Sequence, residues 1–116
     1  MSDKISKGKY GEQLAANFLV QAGYKILERN YRYKRAEVDL IAQKDGLIIF
    51  VEVKLRSDKI FGTPEEFVTV QKEENIRQVA EHYIFENDWH YDIRFDIIAI
   101  VVKPSVEIEH IKDAFI

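Results

Sequence analysis

A chain of 116 residues, 47% hydrophobic and 12% aromatic, is long enough to bury one core, so we predict a single globular domain over residues 1–116 and exclude a disordered chain. The lack of cysteine excludes disulfides and thiolate metal sites and favours a reducing compartment. The sequence contains neither a membrane-spanning apolar run nor a secretory signal, so we expect a cytoplasmic protein without a membrane segment.

Charge is unevenly distributed along the chain. Residues 1–60 contain 12 basic and 8 acidic residues, a net of +4, whereas residues 61–116 contain 5 and 12, a net of −7. The densest basic cluster consists of Arg29, Arg32, Lys34 and Arg35. This asymmetry is typical of a protein with one face turned towards a polyanion, although the same residues can be ordinary solvated charges.

A helix and a strand are predicted first. Apolar residues recur at helical spacing over residues 8–22, which predicts an amphipathic helix that ends at Gly23. The apolar stripe of this helix comprises Tyr10, Leu14, Ala15, Phe18, Leu19 and Ala22. Glu12 lies at the edge of the stripe. A strand over residues 24–31 follows and leads into a basic turn over residues 32–35.

A β-hairpin is predicted next. Residues 36–43 (AEVDLIAQ) alternate, which places Val38, Leu40 and Ala42 on one face and the carboxylates on the other. The Asp-Gly signature in residues 44–46 predicts the turn. In this register Asp39 lies near Phe50 and Val51 and diagonal to Glu52.

The remaining elements complete an α/β domain. A polar loop over residues 57–62 precedes a helix start at residues 63–66 (TPEE), and a longer helix is predicted over residues 69–87. Strands are predicted over residues 93–102 and 106–111. The order α-β-β-β-α-β-β indicates a mixed sheet flanked by two main helices.

Arg94 and Asp96 alternate on the predicted strand over residues 93–102. If they are buried they must pair, because an unpaired buried charge is costly. We therefore interpret them as structural. His82, His90 and His110 are not at metal-ligand spacing.

The segment FVEVKLR, residues 50–56, carries two charges on a buried strand. Glu52 and Lys54 share one face of that strand, which alone is typical of a solvated strand end. Asp39 changes this interpretation, because two converging carboxylates repel each other unless they hold a cation. Mg²⁺ and Mn²⁺ prefer such oxygen ligands. A lysine beside the metal can help deprotonate a water and can stabilise the charge on a phosphoryl group.

These residues carry a family resemblance. Asp39 followed by Glu52-Val53-Lys54 across a hairpin resembles the PD-(D/E)XK phosphodiesterases, which share the restriction-endonuclease-like core αβββαβ. The chain further resembles the small bacterial YraN-like proteins, a family of nuclease-like proteins. The segments that carry this resemblance are GKYGEQLAANFLVQAGYKILERNYR, AEVDLIA, FVEVKLR, FGTPEEFVTVQK, RFDIIAI and IEHIKDAF.

The resemblance implies a role for each residue of the motif. Asp39 and Glu52 would be catalytic carboxylates that hold the metal, and the Val53 carbonyl would add a ligand. Lys54 would be the catalytic lysine. Glu12 would reach the same metal from the first helix, unless it is simply an exposed helical residue. Nucleic acid would be bound by Arg32, Lys34, Arg35, Arg56 and Lys72.

We therefore predict a nuclease or nuclease-like DNA-processing protein that hydrolyses phosphodiester bonds with Mg²⁺ or Mn²⁺. Its partner would be nucleic acid, with DNA the expected form, and cutting two strands would favour a homodimer. Two alternatives stay open at this point. One is a non-catalytic nucleic-acid-binding module that keeps the nuclease fold, and the other is a purely structural partner protein.

Overall fold

The structure is a computed structural model that describes residues 3–56 and 69–115, with only the backbone described for residues 3–7. Its elements are α1 (Asp3–Gln21), β1 (Lys25–Tyr33), β2 (Ala36–Lys44), β3 (Leu47–Arg56), α2 (Val70–Glu86), β4 (Asp92–Val101) and β5 (Glu107–Ile111). The predicted mixed α/β class and the order of its elements are confirmed. The predicted loop over residues 57–62 and the helix start at residues 63–66 lie outside the described residues.

The five strands form one sheet in the order β1-β2-β3-β4-β5. All neighbours are antiparallel except β3 and β4, which are parallel. Tight turns join β1 to β2 and β2 to β3, whereas the connection from β3 to β4 contains α2, as a parallel crossover requires. Arg32 lies in β1 and not in a turn, because the turn itself consists of Lys34 and Arg35 alone.

Each helix covers one face of the sheet. The core on the α1 face contains Ala15, Ala16, Leu19, Leu40, Ala42, Ile49, Val51, Ile98 and Ile100. The core on the α2 face contains Val38, Ile41, Ile48, Phe50, Ile76, Val79, Tyr83 and Ile97. β3 and β4 contribute to both cores, which explains their continuous apolar sequence. Among the described residues, neither helix is long and apolar enough to cross a membrane.

α1 lies close to β3 because its contact surface is made of small residues. Gly11, Ala15 and Ala16 are buried there, and a Cβ added at Gly11 would lie 3.3 Å from the Leu55 Cβ. The prediction that Tyr10 belongs to the apolar stripe is wrong, since its side chain is 49% exposed. The buried stripe includes Gly11 instead, and the neighbouring Glu12 is half-buried.

The predicted alternation of β2 breaks at Asp39. Leu40 and Ala42 contribute to the core on the α1 face, but Val38 contributes to the core on the α2 face. The prediction that Val38, Leu40 and Ala42 share a face is therefore wrong. Asp39 is thus an extra residue between Val38 and Leu40, as in a β-bulge, and the side chains on either side of it point to opposite faces.

β1 breaks at the position opposite Asp39. The Arg29 guanidinium donates to Gln13 of α1 at 3.1 Å, while the Tyr31 ring packs against Tyr83 of α2 with centroids 5.1 Å apart. Two residues that would share a face in a regular strand thus lie on opposite faces. Asn30 lies between them with a φ of 51°, a left-handed conformation that asparagine tolerates better than most residues.

Arg94 and Asp96 are paired, as expected for buried charges. Asp96 is fully buried and its carboxylate accepts two hydrogen bonds of 2.8 Å from Arg94. It lies 2.7 Å from the His110 imidazole and accepts a hydrogen bond of 3.0 Å from the backbone N–H of Asp113. These partners tie β4 to β5 and to the segment that follows β5.

Candidate active site

A fork between β2 and β3 forms the centre of the candidate site. The two strands are paired as far as Leu40 and Val51, whereas β3 stays paired with β4 to its last residue, Arg56. At the fork, the Asp39 carboxylate accepts a hydrogen bond of 2.8 Å from the backbone N–H of Val53. A side-chain oxygen thus replaces the carbonyl that a continued ladder would supply, and it holds Asp39 against β3.

Asp39 lies level with Glu52. Lys44 pairs with Leu47, so the turn contains two residues and the register differs by one from the prediction. The predicted position of Asp39, beside Phe50 and Val51, is therefore wrong. In the observed register Asp39 lies opposite Glu52, so the two residues are closer than a diagonal pair would be.

Glu52 is the most buried acid of the site, with a residue exposure of 4%. One of its carboxylate oxygens, Oε1, lies 3.0 Å from the Lys72 Nζ and 4.0 Å from the Lys54 Nζ. The other oxygen, Oε2, is buried and accepts no hydrogen bond within the described part of the chain. Buried polar atoms in proteins are nearly always paired, so this oxygen is suited to a ligand.

Burial raises the pKa of Glu52 to about 8, and the neighbouring Asp39 carboxylate acts in the same direction. Lys72 opposes the shift only in part. In the absence of a cation, the folded protein therefore favours a proton on Glu52 at neutral pH. A divalent cation would favour the ionised form instead, because its charge attracts both carboxylates.

Glu52→Gln is expected to stabilise the metal-free protein at alkaline pH. The pKa of Glu52 is about 8 in the folded protein against an ordinary value of 4.5, so folding favours the protonated form. The free energy of unfolding of the wild type then falls as pH rises from about 4.5 to about 8, by about 1.4 kcal/mol for each unit of pKa difference. Melting temperatures between pH 4.5 and 9, measured with a chelator present, test this expectation.

The glutamine variant should lack this pH dependence and be the more stable protein at pH 9. The exposed Glu109 of β5 offers a matched control, and Glu109→Gln should retain the pH dependence of the wild type. If the melting temperatures of wild type and Glu52→Gln fall equally with rising pH, folding does not disfavour the ionised form of Glu52.

The two lysines at Glu52 differ in their tendency to carry a charge. Burial lowers the pKa of Lys54, whose side chain is 15% exposed, and Glu52 offsets this only in part. Burial also disfavours the charge of Lys72, but the Glu52 carboxylate outweighs it and the pKa of Lys72 is raised. Lys72 therefore remains a cation, while Lys54 gives up its proton more readily.

Glu12 lies near the fork but binds a different partner. Its Oε2 accepts a hydrogen bond of 3.2 Å from the Asn30 side-chain amide. Burial raises the pKa of Glu12, and the Asp39 carboxylate contributes to the rise although Asn30 opposes it. Glu12 is therefore within electrostatic range of Asp39, and its role as a metal ligand stays a prediction.

Asn30 is a residue that the sequence interpretation missed. It lies in β1 opposite Asp39, and its side-chain amide orients Glu12. The only signal in the sequence is an asparagine inside an otherwise regular strand pattern, a residue type that tolerates a positive φ.

The donors at the fork fit a hard divalent cation. Asp39 and Glu52 offer carboxylate oxygens, and Val53 lies between them with its backbone held by Asp39. Within residues 3–56 and 69–115, no three Asp, Glu or His side chains are close enough to hold a metal without other ligands. Mg²⁺ is commonly bound by one or two carboxylates with water and substrate phosphate in its remaining positions, so the donor set matches that type of site.

One of the predicted nucleic-acid-binding residues contacts the carboxylates, and a second shares a cavity with it. The Lys72 Nζ lies 3.0 Å from the Glu52 Oε1, and Arg35 lines a cavity that Lys72 also lines. Lys72 lies in α2 and Arg35 in the turn before β2.

The other three are spread along the sheet. Arg32 has a side chain 75% exposed and pairs with Glu37 at 3.1 Å. The Lys34 ammonium lies 5.3 Å from the centre of the Tyr33 ring. Arg56 ends β3 and donates a hydrogen bond of 3.0 Å to the preceding carbonyl.

Comparison with known proteins places the site residues within a shared region. A profile described as "Uncharacterised protein family UPF0102" matches residues 11–100, which include every site residue from Glu12 to Lys72. A UPF0102 protein of Flavobacterium psychrophilum is 42% identical over 116 residues, covering 99% of this chain and 98% of that protein. One from Cytophaga hutchinsonii is 48% identical over 98 residues, covering 84% and 87%.

A further relative and a solved structure are also similar to this chain. A UPF0102 protein of Rhodococcus opacus is 42% identical over 118 residues, covering 99% of this chain and 100% of that protein. The structure of Pyrococcus furiosus SfsA in complex with Ca²⁺ aligns with 95% of this chain and 64% of that chain. Its sequence identity is 12% and the TM-score is 0.35.

Proposed function

The chain belongs to the uncharacterised protein family UPF0102, the YraN-like family that its motifs resemble, and we propose that it is a metal-dependent nuclease that hydrolyses phosphodiester bonds in DNA. The observation that carries the proposal is the convergence of Asp39, Glu52 and Lys54 at the fork, where a buried Glu52 oxygen is left without a partner among the described residues. This combination of acids and an amine is suited to attack on a phosphodiester.

Asp39 and Glu52, with the Val53 carbonyl, would hold Mg²⁺ or Mn²⁺. When bound, the metal would lower the pKa of a water and neutralise charge on the phosphodiester. Lys54, with its lowered pKa, is placed to accept a proton from the attacking water or to orient it. Lys72 keeps its charge and would face the phosphate, where it stabilises the negative charge that builds during attack.

The direct test is incubation of linear, circular and branched DNA with Mg²⁺ or Mn²⁺. We expect cleavage that requires the metal and stops when a chelator is added. Two sites are needed to cut both strands, so a homodimer is the proposed arrangement for cleavage of duplex DNA. DNA that stays intact with either metal on all three substrates would contradict the proposal.

Mn²⁺ is expected to raise the melting temperature of the wild type. A ligand that binds only the folded protein stabilises it by about 2.7 kcal/mol at one hundred times its dissociation constant. Asp39→Asn should remove this shift, because it deletes one of the two carboxylates. Thermal unfolding with and without Mn²⁺ measures both effects.

Asp45→Asn provides the matched control for that measurement. Asp45 lies in the exposed turn between β2 and β3 with a φ of 54°, which asparagine also accepts. Its Mn²⁺ shift should equal that of the wild type. An equal shift in Asp39→Asn would locate the bound metal elsewhere.

One contact favours a second candidate function, a nucleic-acid-binding module without catalysis. The Lys72 Nζ lies 3.0 Å from the Glu52 Oε1, so a positive charge already stands beside the acid in the absence of metal. For such a module, the logarithm of the DNA-binding constant would fall linearly with the logarithm of the salt concentration. It would show no metal-dependent turnover.

A further inference from the structure

A cavity of about 340 Å³ opens between the first turns of α2 and the start of β2. Its lining combines the cations Arg35 and Lys72, the carboxylate of Glu37, which pairs with Arg32, the amides Gln71 and Asn75, and the apolar residues Ala36 and Ile76. Small-molecule sites in proteins begin at about 300 Å³, so the cavity has room for one nucleoside and is too small for a base pair with its backbone.

Two apolar residues and two amides of the cavity are suited to contact a nucleobase. Ala36 and Ile76 are buried, with exposures of 8% and 1%. Gln71 and Asn75 lie one helical turn apart, and the Gln71 amide donates to the Asn75 side chain at 3.0 Å. Each amide group carries a donor and an acceptor in one plane, which is the pattern that the edge of a nucleobase presents.

Arg35 adds a group that can stack. A guanidinium is planar and weakly hydrated, so it packs readily against an aromatic plane. A flat heterocycle that rests on Ala36 and Ile76 would have amides at its edge and a guanidinium beside it. A bare phosphate or a sugar would leave these two apolar residues unused.

Lys72 connects this cavity with the carboxylates. Its side chain lines the cavity, and its Nζ lies 3.0 Å from the Glu52 Oε1. The same side chain thus borders both the cavity and the fork, so a base bound in the cavity would lie near a phosphate bound at the fork.

We propose that the cavity binds the base of one unpaired nucleotide next to the scissile phosphate. The inference rests on the proposed function and narrows it to DNA with a single-stranded segment or an extruded base at the point of cleavage. A base inside a duplex is stacked and its edge is paired, so it would have to leave the helix to enter the cavity.

The test measures binding and needs no catalysis. The probe is a DNA duplex with a short single-stranded overhang that contains 2-aminopurine, compared with a blunt duplex of equal length, both in the presence of a chelator. We expect the overhang duplex to bind about tenfold more tightly, as one or two base-edge hydrogen bonds and burial of a base would provide. The 2-aminopurine fluorescence should change on binding.

The double variant Gln71→Ala/Asn75→Ala should abolish the preference and the fluorescence change. Alanine is the best helix former, so α2 is expected to stay folded. Gln78→Ala on the exposed side of the same helix is the matched control and should behave as the wild type. Equal affinity for the two duplexes, or a preference that survives the double variant, would overturn the proposal.

Cleavage assays separate this inference from the proposed function. An overhang preference that depends on Gln71 and Asn75, with no metal-dependent cleavage, upholds the cavity and overturns the nuclease. Metal-dependent cleavage that is equally fast on both duplexes and unchanged in the double variant overturns the cavity and upholds the nuclease.

Discussion

Asp39→Asn is expected to abolish metal-dependent cleavage of DNA and to leave the fold intact. Asparagine keeps a side-chain oxygen that can accept the hydrogen bond from the backbone N–H of Val53, so the fork should close as in the wild type. It removes the negative charge that the metal requires, and we expect the rate to fall by at least about a thousandfold. Initial rates at saturating Mn²⁺, with circular dichroism to verify folding, test this expectation.

Lys54→Met should reduce the rate to a similar degree by a different route. Methionine fills nearly the same space but cannot accept a proton or carry a charge, so metal binding should persist while cleavage is lost. Lys112→Met, on an exposed residue after β5, serves as the control and should cleave at the wild-type rate. If the cleavage rate of Asp39→Asn or Lys54→Met is within tenfold of the wild-type rate, the substituted residue is not catalytic.

Asp96→Asn is expected to be the most destabilising of these substitutions. Its carboxylate is fully buried and binds Arg94, His110 and the backbone of Asp113. Removing one partner of a buried ion pair leaves the other charge unmatched and costs about 3–5 kcal/mol. Urea unfolding at pH 7 should show a loss of this size.

The pH dependence of this loss follows from the same contacts. Burial alone would raise the pKa of Asp96, but Arg94, His110 and the Asp113 N–H outweigh it, so the folded-state pKa lies below the ordinary value of 3.8. The stability that the ionised carboxylate contributes is therefore present above about pH 3.8 and is lost as pH falls through the folded pKa. Asp113→Asn keeps the backbone donor and is the control. A loss below about 1 kcal/mol at pH 7 in Asp96→Asn would mean that water replaces the carboxylate.

The order of elements was predictable because each signal is local. The apolar run of β3, the helical spacing of α2 and the Asp45-Gly46 turn each lie within one short segment, and all three agree with one topology. The pairing of Arg94 with Asp96 was predictable for an energetic reason, since no other arrangement tolerates both charges on a buried strand.

Two features of the site could not be predicted from the sequence. Val38, Leu40 and Ala42 are all apolar at a spacing of two. The hydrophobic pattern of β2 is therefore the same whether the strand is regular or broken at Asp39. The contact between Lys72 and Glu52 joins residues on opposite sides of a crossover, and its existence depends on where α2 begins. Local patterns carry no information about either.

The paired break at Asn30 and Asp39 has a consequence for how the family can change. If both residues were deleted, the side chains of β2 on either side of Asp39 would alternate without interruption, and Arg29 and Tyr31 of β1 would keep the faces that they have now. Neither Asn30 nor Asp39 belongs to the hydrophobic core. A relative that lost both residues would keep the pairing of these strands and lose Asp39, so the length of the two strands would mark which relatives retain the carboxylate of the proposed metal site.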